Sequence, residues 1–121
     1  MQNIADDDGS LTALLGRSEC PAYHRAIELI GRRWNGMILR ELVRGSGRFS
    51  DLRDGVEGIT DAMLTQRLRE LEDAGLVVRQ VLDQRPVAVR YALTKVGAEL
   101  APILNSIATW SNEWSAAVES D

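Results

Sequence analysis

The residues whose chemistry is best defined lie in one short stretch, residues 60–75, TDAMLTQRLRELEDAG. Gln66 and Arg69 are the side chains there that can read a base edge. A glutamine amide matches adenine in the major groove, and a guanidinium matches guanine. Stepping about 100° per residue from Leu64, residues Ala62, Gln66, Arg69 and Asp73 fall opposite the leucines, with Thr65 on the flank. An amphipathic helix with an ordinary solvated face gives the same pattern, so this stretch alone leaves both readings open. Arg67 sits beside the leucine stripe, where a salt bridge to Glu70, a phosphate contact and base reading are all open to it. Met63 can pack at the start of the helix or touch a thymine methyl.

Outside that stretch, reactive side chains are few. Cys20 is the single cysteine, which excludes an internal disulfide and suits a reducing compartment. It stands before Pro21, and proline is favoured at the first helical position. Two readings of Cys20 follow. At a helix N-terminus the dipole stabilises thiolate, with Arg17 and Arg25 close in sequence, so Cys20 could be a redox sensor. Alternatively, it caps the helix and behaves as a small hydrophobe. His24 is the only histidine, and no glycine-rich phosphate loop follows a strand. No catalytic residue, metal site or cofactor is expected. Trp110 and Trp114 could line a ligand cavity or an interface, and aromatic residues are enriched in interface cores.

The elements that must hold these side chains follow from periodicity. Leu64, Leu68 and Leu71 recur at i, i+4, i+7, one buried stripe of a helix. Thr60 or Asp61 can cap its start, and Gly75 can end it in a left-handed conformation. Ahead of it, Ala22, Ala26, Ile27, Leu29 and Ile30 mark one helix ending at Gly31. Trp34, Ile38, Leu39, Leu42 and Val43 mark a second, ended by Gly45 and Gly47. Arg48–Leu52 restarts helix, with Ser50 as its expected cap and Asp51 and Asp54 favoured by the helix dipole. The helices over 22–44 and 49–54 are the expected partners of the leucine stripe. Two helices joined by a glycine-containing turn outline a helix-turn-helix.

After Gly75 the period changes from 3.6 to 2. LVVRQVLD and VAVRYALT flank residues 83–86 as a β-hairpin with a polar tip. Val89, Tyr91 and Leu93 share one face of the second strand, and Ala88, Arg90 and Ala92 the other. The parity of the first strand stays open. Helix resumes from Thr94 with a broad apolar stripe, and Pro102 should kink or divide it. The whole is mainly α with a small β-hairpin: a winged helix-turn-helix with added N- and C-terminal dimerisation helices. Residues 1–9 are read as a disordered acidic N-terminus and 10–121 as a single domain. Within it the helix-turn-helix spans 49–75, the wing 76–93 and the C-terminal dimerisation helix 95–118.

At 45% hydrophobic and 26% charged, the chain can bury a real core. No apolar run reaches the ~18–20 residues that span a membrane, and MQNIADDDGS resembles no export signal. A cytoplasmic protein without membrane association is expected. The net charge of −4 argues against nucleic acid at first sight. The acidic excess, however, lies in residues 1–20 and 101–121, while residues 21–100 are slightly basic. That distribution is compatible with a localised DNA-binding face.

CPAYHRAIELIGRRW, GMILREL, GRFSDLR, GITDAMLTQRLRELEDAGLVVR and VRYALTKVGAEL closely resemble the HxlR-type transcriptional regulators, a MarR-like branch of bacterial winged-helix proteins. The resemblance runs over about residues 20–114. It implies a homodimer bound to an inverted repeat in double-stranded DNA, acting as a repressor or less often an activator. It also implies that Thr60, Thr65, Gln66 and Arg69 lie at or near the major groove, with Arg67 on the flank. Arg48 and Ser50 would contact phosphate, and Arg85 at the wing tip would approach the minor groove or backbone; Arg90 is a further expected DNA contact of the wing. The dimer would form from the helices at 10–16 and 95–118, through Leu11, Leu14, Leu15, Ile103, Ile107, Trp110 and Trp114. Some relatives with a cysteine at the Cys20 position sense oxidants, quinones or aldehydes, so an electrophile, an oxidant or another small molecule is a candidate effector. Ala62 stands where many relatives carry lysine. That gap, with the acidic chain ends, motivates the rival class, an antirepressor-like protein-interaction module that does not bind DNA specifically.

Overall fold

A computed structural model of the chain describes residues 21–119. The chain divides into two units, the first ending at Arg32 and the second beginning at Arg33. In the first, helix α1 (Pro21–Gly31) ends at its glycine, as the sequence suggests. It buries none of its residues.

The second unit holds α2 (Asn35–Val43), α3 (Phe49–Gly55), α4 (Asp61–Asp73), β1 (Val77–Leu82), β2 (Ala88–Leu93), α5 (Lys95–Ala98) and α6 (Leu100–Glu119). Its core is aliphatic. Ile38, Leu39 and Leu42 from α2 and Leu52 from α3 are buried, as are Val56 and Ile59 of the connecting turn. Leu64, Leu68 and Leu71 from α4 join them, with Leu76 and Val77 where the hairpin begins. A fully buried leucine contributes about 1.5–3 kcal/mol relative to exposure, so this set is enough to fix α4 by one face. The turn between α3 and α4 closes through an Ile59 N–H bond to the Val56 carbonyl at 3.2 Å. Gly58, at φ 91°, takes the left-handed position there that a side chain would resist.

Two local expectations change. Ser50 does not cap α3. Arg48 holds the extended N-cap backbone, the helix already includes Phe49, and no side chain caps its start. The reason is the strand-like segment before it, where the Gly47 carbonyl accepts from the Tyr91 N–H at 2.8 Å and carries the extended backbone up to Arg48. Helix in the C-terminal segment is divided as expected, but at Glu99, ahead of the proline. Pro102 then sits in the first turn of α6, where its missing N–H has no helical acceptor to leave unfilled.

The hairpin pairs antiparallel, with Val77 opposite Leu93, Arg79 opposite Tyr91 and Val81 opposite Val89. This register settles the parity left open in β1. Val77, Arg79 and Val81 share the face of Val89, Tyr91 and Leu93. Val78, Gln80 and Leu82 share that of Ala88, Arg90 and Ala92. Among the described residues no helix is long and apolar enough to cross a membrane.

Candidate nucleic-acid interface

Helix α4 is fixed at both ends and along one face. At its start Thr60 Oγ1 accepts from the Met63 N–H at 3.1 Å, so of the two expected caps it is Thr60 that serves. At its end Gly75, φ 81°, donates to the Glu72 carbonyl at 2.9 Å, and Leu76 donates to the Leu71 carbonyl at 3.0 Å. This pair of bonds is the Schellman closure, which needs the left-handed residue that glycine supplies.

Two longer ties could not be read from local sequence. Arg67 is only 7% exposed. Its Nε donates to the Arg33 carbonyl at 3.1 Å, and its Nη1 lies 3.1 Å from both oxygens of Glu70. Of the uses open to Arg67, the structure selects the salt bridge. A guanidinium held inside the protein is turned from a groove, which corrects its inclusion among the DNA contacts. Thr94 makes the second tie. Its hydroxyl donates to the Gly75 carbonyl at 2.6 Å and accepts from the Gly97 N–H at 3.0 Å. Its own N–H donates to the Leu76 carbonyl at 3.0 Å. The end of α4, the end of the wing and the start of α5 thus meet at one threonine. Gly97 belongs to the same junction, because a Cβ there would collide with the Leu76 carbonyl.

With the leucines buried, α4 turns the other face outward. Ala62, Thr65, Gln66, Arg69 and Asp73 are all exposed, as the helical spacing predicts. Arg69 has no partner among the described residues. Gln66 Nε2 lies 3.5 Å from Glu70 Oε2. Beside the helix start, Arg53 reaches Asp61 at 3.4 Å and Asp54 at 3.6 Å, both exposed pairs of small energetic value.

Around this face, Arg48 and Ser50 are exposed at the start of α3, and Thr60 is exposed at the cap of α4. Arg85 is exposed on the wing tip between the strands. Arg90 is placed differently from Arg85. It lies midway along the hairpin, opposite Gln80, where its side chain covers Gly47 and its Nη2 reaches the Gly45 carbonyl at 3.4 Å. Arg79 is an exposed cation that sequence reasoning passed over, because its strand had no assigned parity.

On α6, Ile103, Ile107, Trp110, Trp114 and Val118 form an exposed stripe at spacings of three and four. The Trp110 and Trp114 rings stack, 5.6 Å between centroids and 4° between planes. A concavity of about 350 Å³ beside Trp110 is lined by Asn105, Ser106, Thr109 and Glu113, and Trp114 is not part of its wall. Cys20, Leu11, Leu14 and Leu15 lie outside the described residues.

A model described as HxlR-like helix-turn-helix matches residues 29–119. The chain is 39% identical over 95 residues to YvaP of Bacillus subtilis (strain 168), an uncharacterised HTH-type transcriptional regulator, covering 78% of this chain and 88% of YvaP. To the HTH-type transcriptional regulator YodB of the same strain it is 37% identical over 100 residues, covering 83% and 89%. Among solved structures, reduced YodB matches with a TM-score of 0.72 at 38% identity, covering 78% of this chain and 92% of YodB. The redox regulator HypR in its reduced form matches with a TM-score of 0.75 at 35% identity, covering 83% and 99%. YodB has also been solved after diamide treatment and with quinone bound.

Proposed function

We propose that this chain, which belongs to the HxlR-like helix-turn-helix family of transcriptional regulators and is not an enzyme, is a repressor that binds an inverted-repeat operator as a homodimer. The observation that carries the reading is the outward face of α4: Thr65, Gln66 and Arg69 exposed on a helix capped at both ends and buried along its leucines. In a major groove Gln66 would pair with adenine and Arg69 with guanine, while Thr65 serves the flank. Phosphates would be met by Arg48, Ser50 and Thr60, whose hydroxyl still has a hydrogen to donate after capping the helix. Arg85 would approach the minor groove or backbone from the wing, and Arg90 would brace the hairpin against residues 45–47. These phosphate contacts supply affinity and a steep salt dependence, whereas the base contacts supply choice of site.

Dimerisation is assigned to the exposed stripe of α6, Ile103, Ile107, Trp110 and Trp114, with Leu11, Leu14 and Leu15 added from the N-terminal segment. Two α4 helices would then enter successive major grooves about 34–36 Å apart. The working compartment is the cytoplasm, where the DNA is. A thiol-reactive electrophile or oxidant acting at Cys20 is the effector we favour, supported by the likeness to YodB and HypR. Reporter induction by a quinone that is unchanged in Cys20→Ser would remove that assignment.

The decisive test of DNA binding is a gel-shift titration against the protein's own upstream region. Submicromolar binding that is lost when the inverted repeat is scrambled supports the reading. Binding indifferent to scrambling, or absent at low salt, favours the protein-interaction module instead.

A further inference from the structure

Glu70 stands between a buried cation and a proposed base reader. On one side, both its oxygens lie 3.1 Å from Arg67 Nη1, and Arg67 is itself fastened to the Arg33 carbonyl. On the other, its Oε2 lies 3.5 Å from Gln66 Nε2, one turn earlier on the exposed face of α4. An ionised carboxylate only accepts hydrogen bonds, so the atom of Gln66 that faces it has to be the NH2 group. The carbonyl oxygen of Gln66 then points to the opposite side.

That sense matters for recognition. Adenine presents its N6 amino donor and its N7 acceptor side by side in the major groove, and a glutamine amide must meet them in the matching order. Of the two hydrogens on Gln66 Nε2, one faces Glu70 and the other remains for N7, while Oε1 remains for the N6 amino group. An amide turned over would set donor against donor and acceptor against acceptor. We infer that Glu70 is a specificity-determining positioning residue: held by Arg67 against the Arg33 carbonyl, it fixes the sense in which the Gln66 amide meets its base. At 3.5 Å the contact is a loose tether, which biases the amide without immobilising it. The bias lowers the rotamer entropy that Gln66 loses on binding DNA. This inference rests on the reading of Gln66 as a base reader. It assigns Glu70, an acidic side chain at a DNA-facing helix, a part in site choice in place of mere repulsion.

The test uses the full chain and a random duplex library. Sites are selected by the wild type, and binding is then titrated on the selected duplex and on each of its single base-pair substitutions. The variants are Glu70→Gln, Gln66→Ala and the two combined. The wild type should prefer adenine at one position of each half-site by about tenfold. Gln66→Ala should erase that preference alone. Glu70→Gln can donate as well as accept, so it should reduce the same preference to about threefold or less while binding to random duplex holds or rises. In the combined variant the second change should add nothing at that position. The neutral pair Arg67→Met with Glu70→Gln removes the buried charge altogether and should give the same loss, which guards against a folding defect in Glu70→Gln.

Undiminished discrimination in Glu70→Gln overturns the inference. So does an equal loss at every position, which a merely structural role would give, or a further loss on the Gln66→Ala background. A wild type that selects no site defeats the DNA-reading proposal and the inference with it. A wild type that selects a site to which Gln66→Ala is indifferent defeats only the inference.

Discussion

Replacing Thr94 by valine removes one hydroxyl at nearly constant volume, and the geometry sets what the loss costs. The hydroxyl accepts from the Gly97 N–H at 3.0 Å, and Gly97 is buried. In Thr94→Val that N–H loses its partner without gaining water, a loss of about 1–3 kcal/mol. The hydroxyl also donates to the Gly75 carbonyl at 2.6 Å. Gly75 is exposed, its carbonyl can rehydrate, and this half costs about 0.5–1 kcal/mol. Together they predict about 1.5–4 kcal/mol, or, at about 4–5 °C per kcal/mol, a fall in melting temperature of roughly 6–20 °C for a unit of this size. Thermal unfolding at one fixed protein concentration measures it, because self-association would make stability depend on concentration. Thr94→Ser, which keeps the hydroxyl, should retain most of the stability. A Thr94→Val protein that melts within about 3 °C of the wild type refutes the reasoning, as does a Thr94→Ser protein that falls as far as the valine variant. Below its melting temperature Thr94→Val should also bind its operator more weakly with unchanged base preference, because the threonine joins α4 to the wing and makes no contact with a base.

Three further outcomes follow from the same structure. Gly97→Ala forces a Cβ into the Leu76 carbonyl and should destabilise by about 1–3 kcal/mol or more in urea unfolding. Trp110→Ser with Trp114→Ser should shift the protein towards monomer in sedimentation equilibrium, since the pair is exposed and stacked on α6 and lies outside the core. Arg85→Ala should weaken binding to all duplexes alike and reduce the slope of log affinity against log salt by about 1.

What the sequence reveals and what it conceals divide by range. The ends of α4 are legible because Thr60 and Gly75 act on backbone groups within a turn of themselves. Its outward face is legible because helical geometry alone sorts Leu64, Leu68 and Leu71 from Thr65, Gln66 and Arg69. Arg67 is not, because the carbonyl that holds it belongs to Arg33, far away in the chain. Thr94 can be read as the close of the wing, yet its bond to Gly75 depends on the hairpin returning to the end of α4. Ser50 misleads because capping chemistry was available to it, while the extended backbone reaching Arg48 was set by Tyr91 on the second strand. The parity of β1 likewise depends on register, which only pairing with β2 fixes.

The central claim, that α4 reads bases from two protomers on one operator, is met most directly by dimethyl sulfate footprinting of the upstream region, which reports guanine N7 in the major groove. The account predicts two clusters of protected guanines about 10–10.5 base pairs apart, with Arg69→Ala restoring reactivity in both clusters under saturating protein. Protection confined to a single cluster, or unchanged in Arg69→Ala, would contradict it.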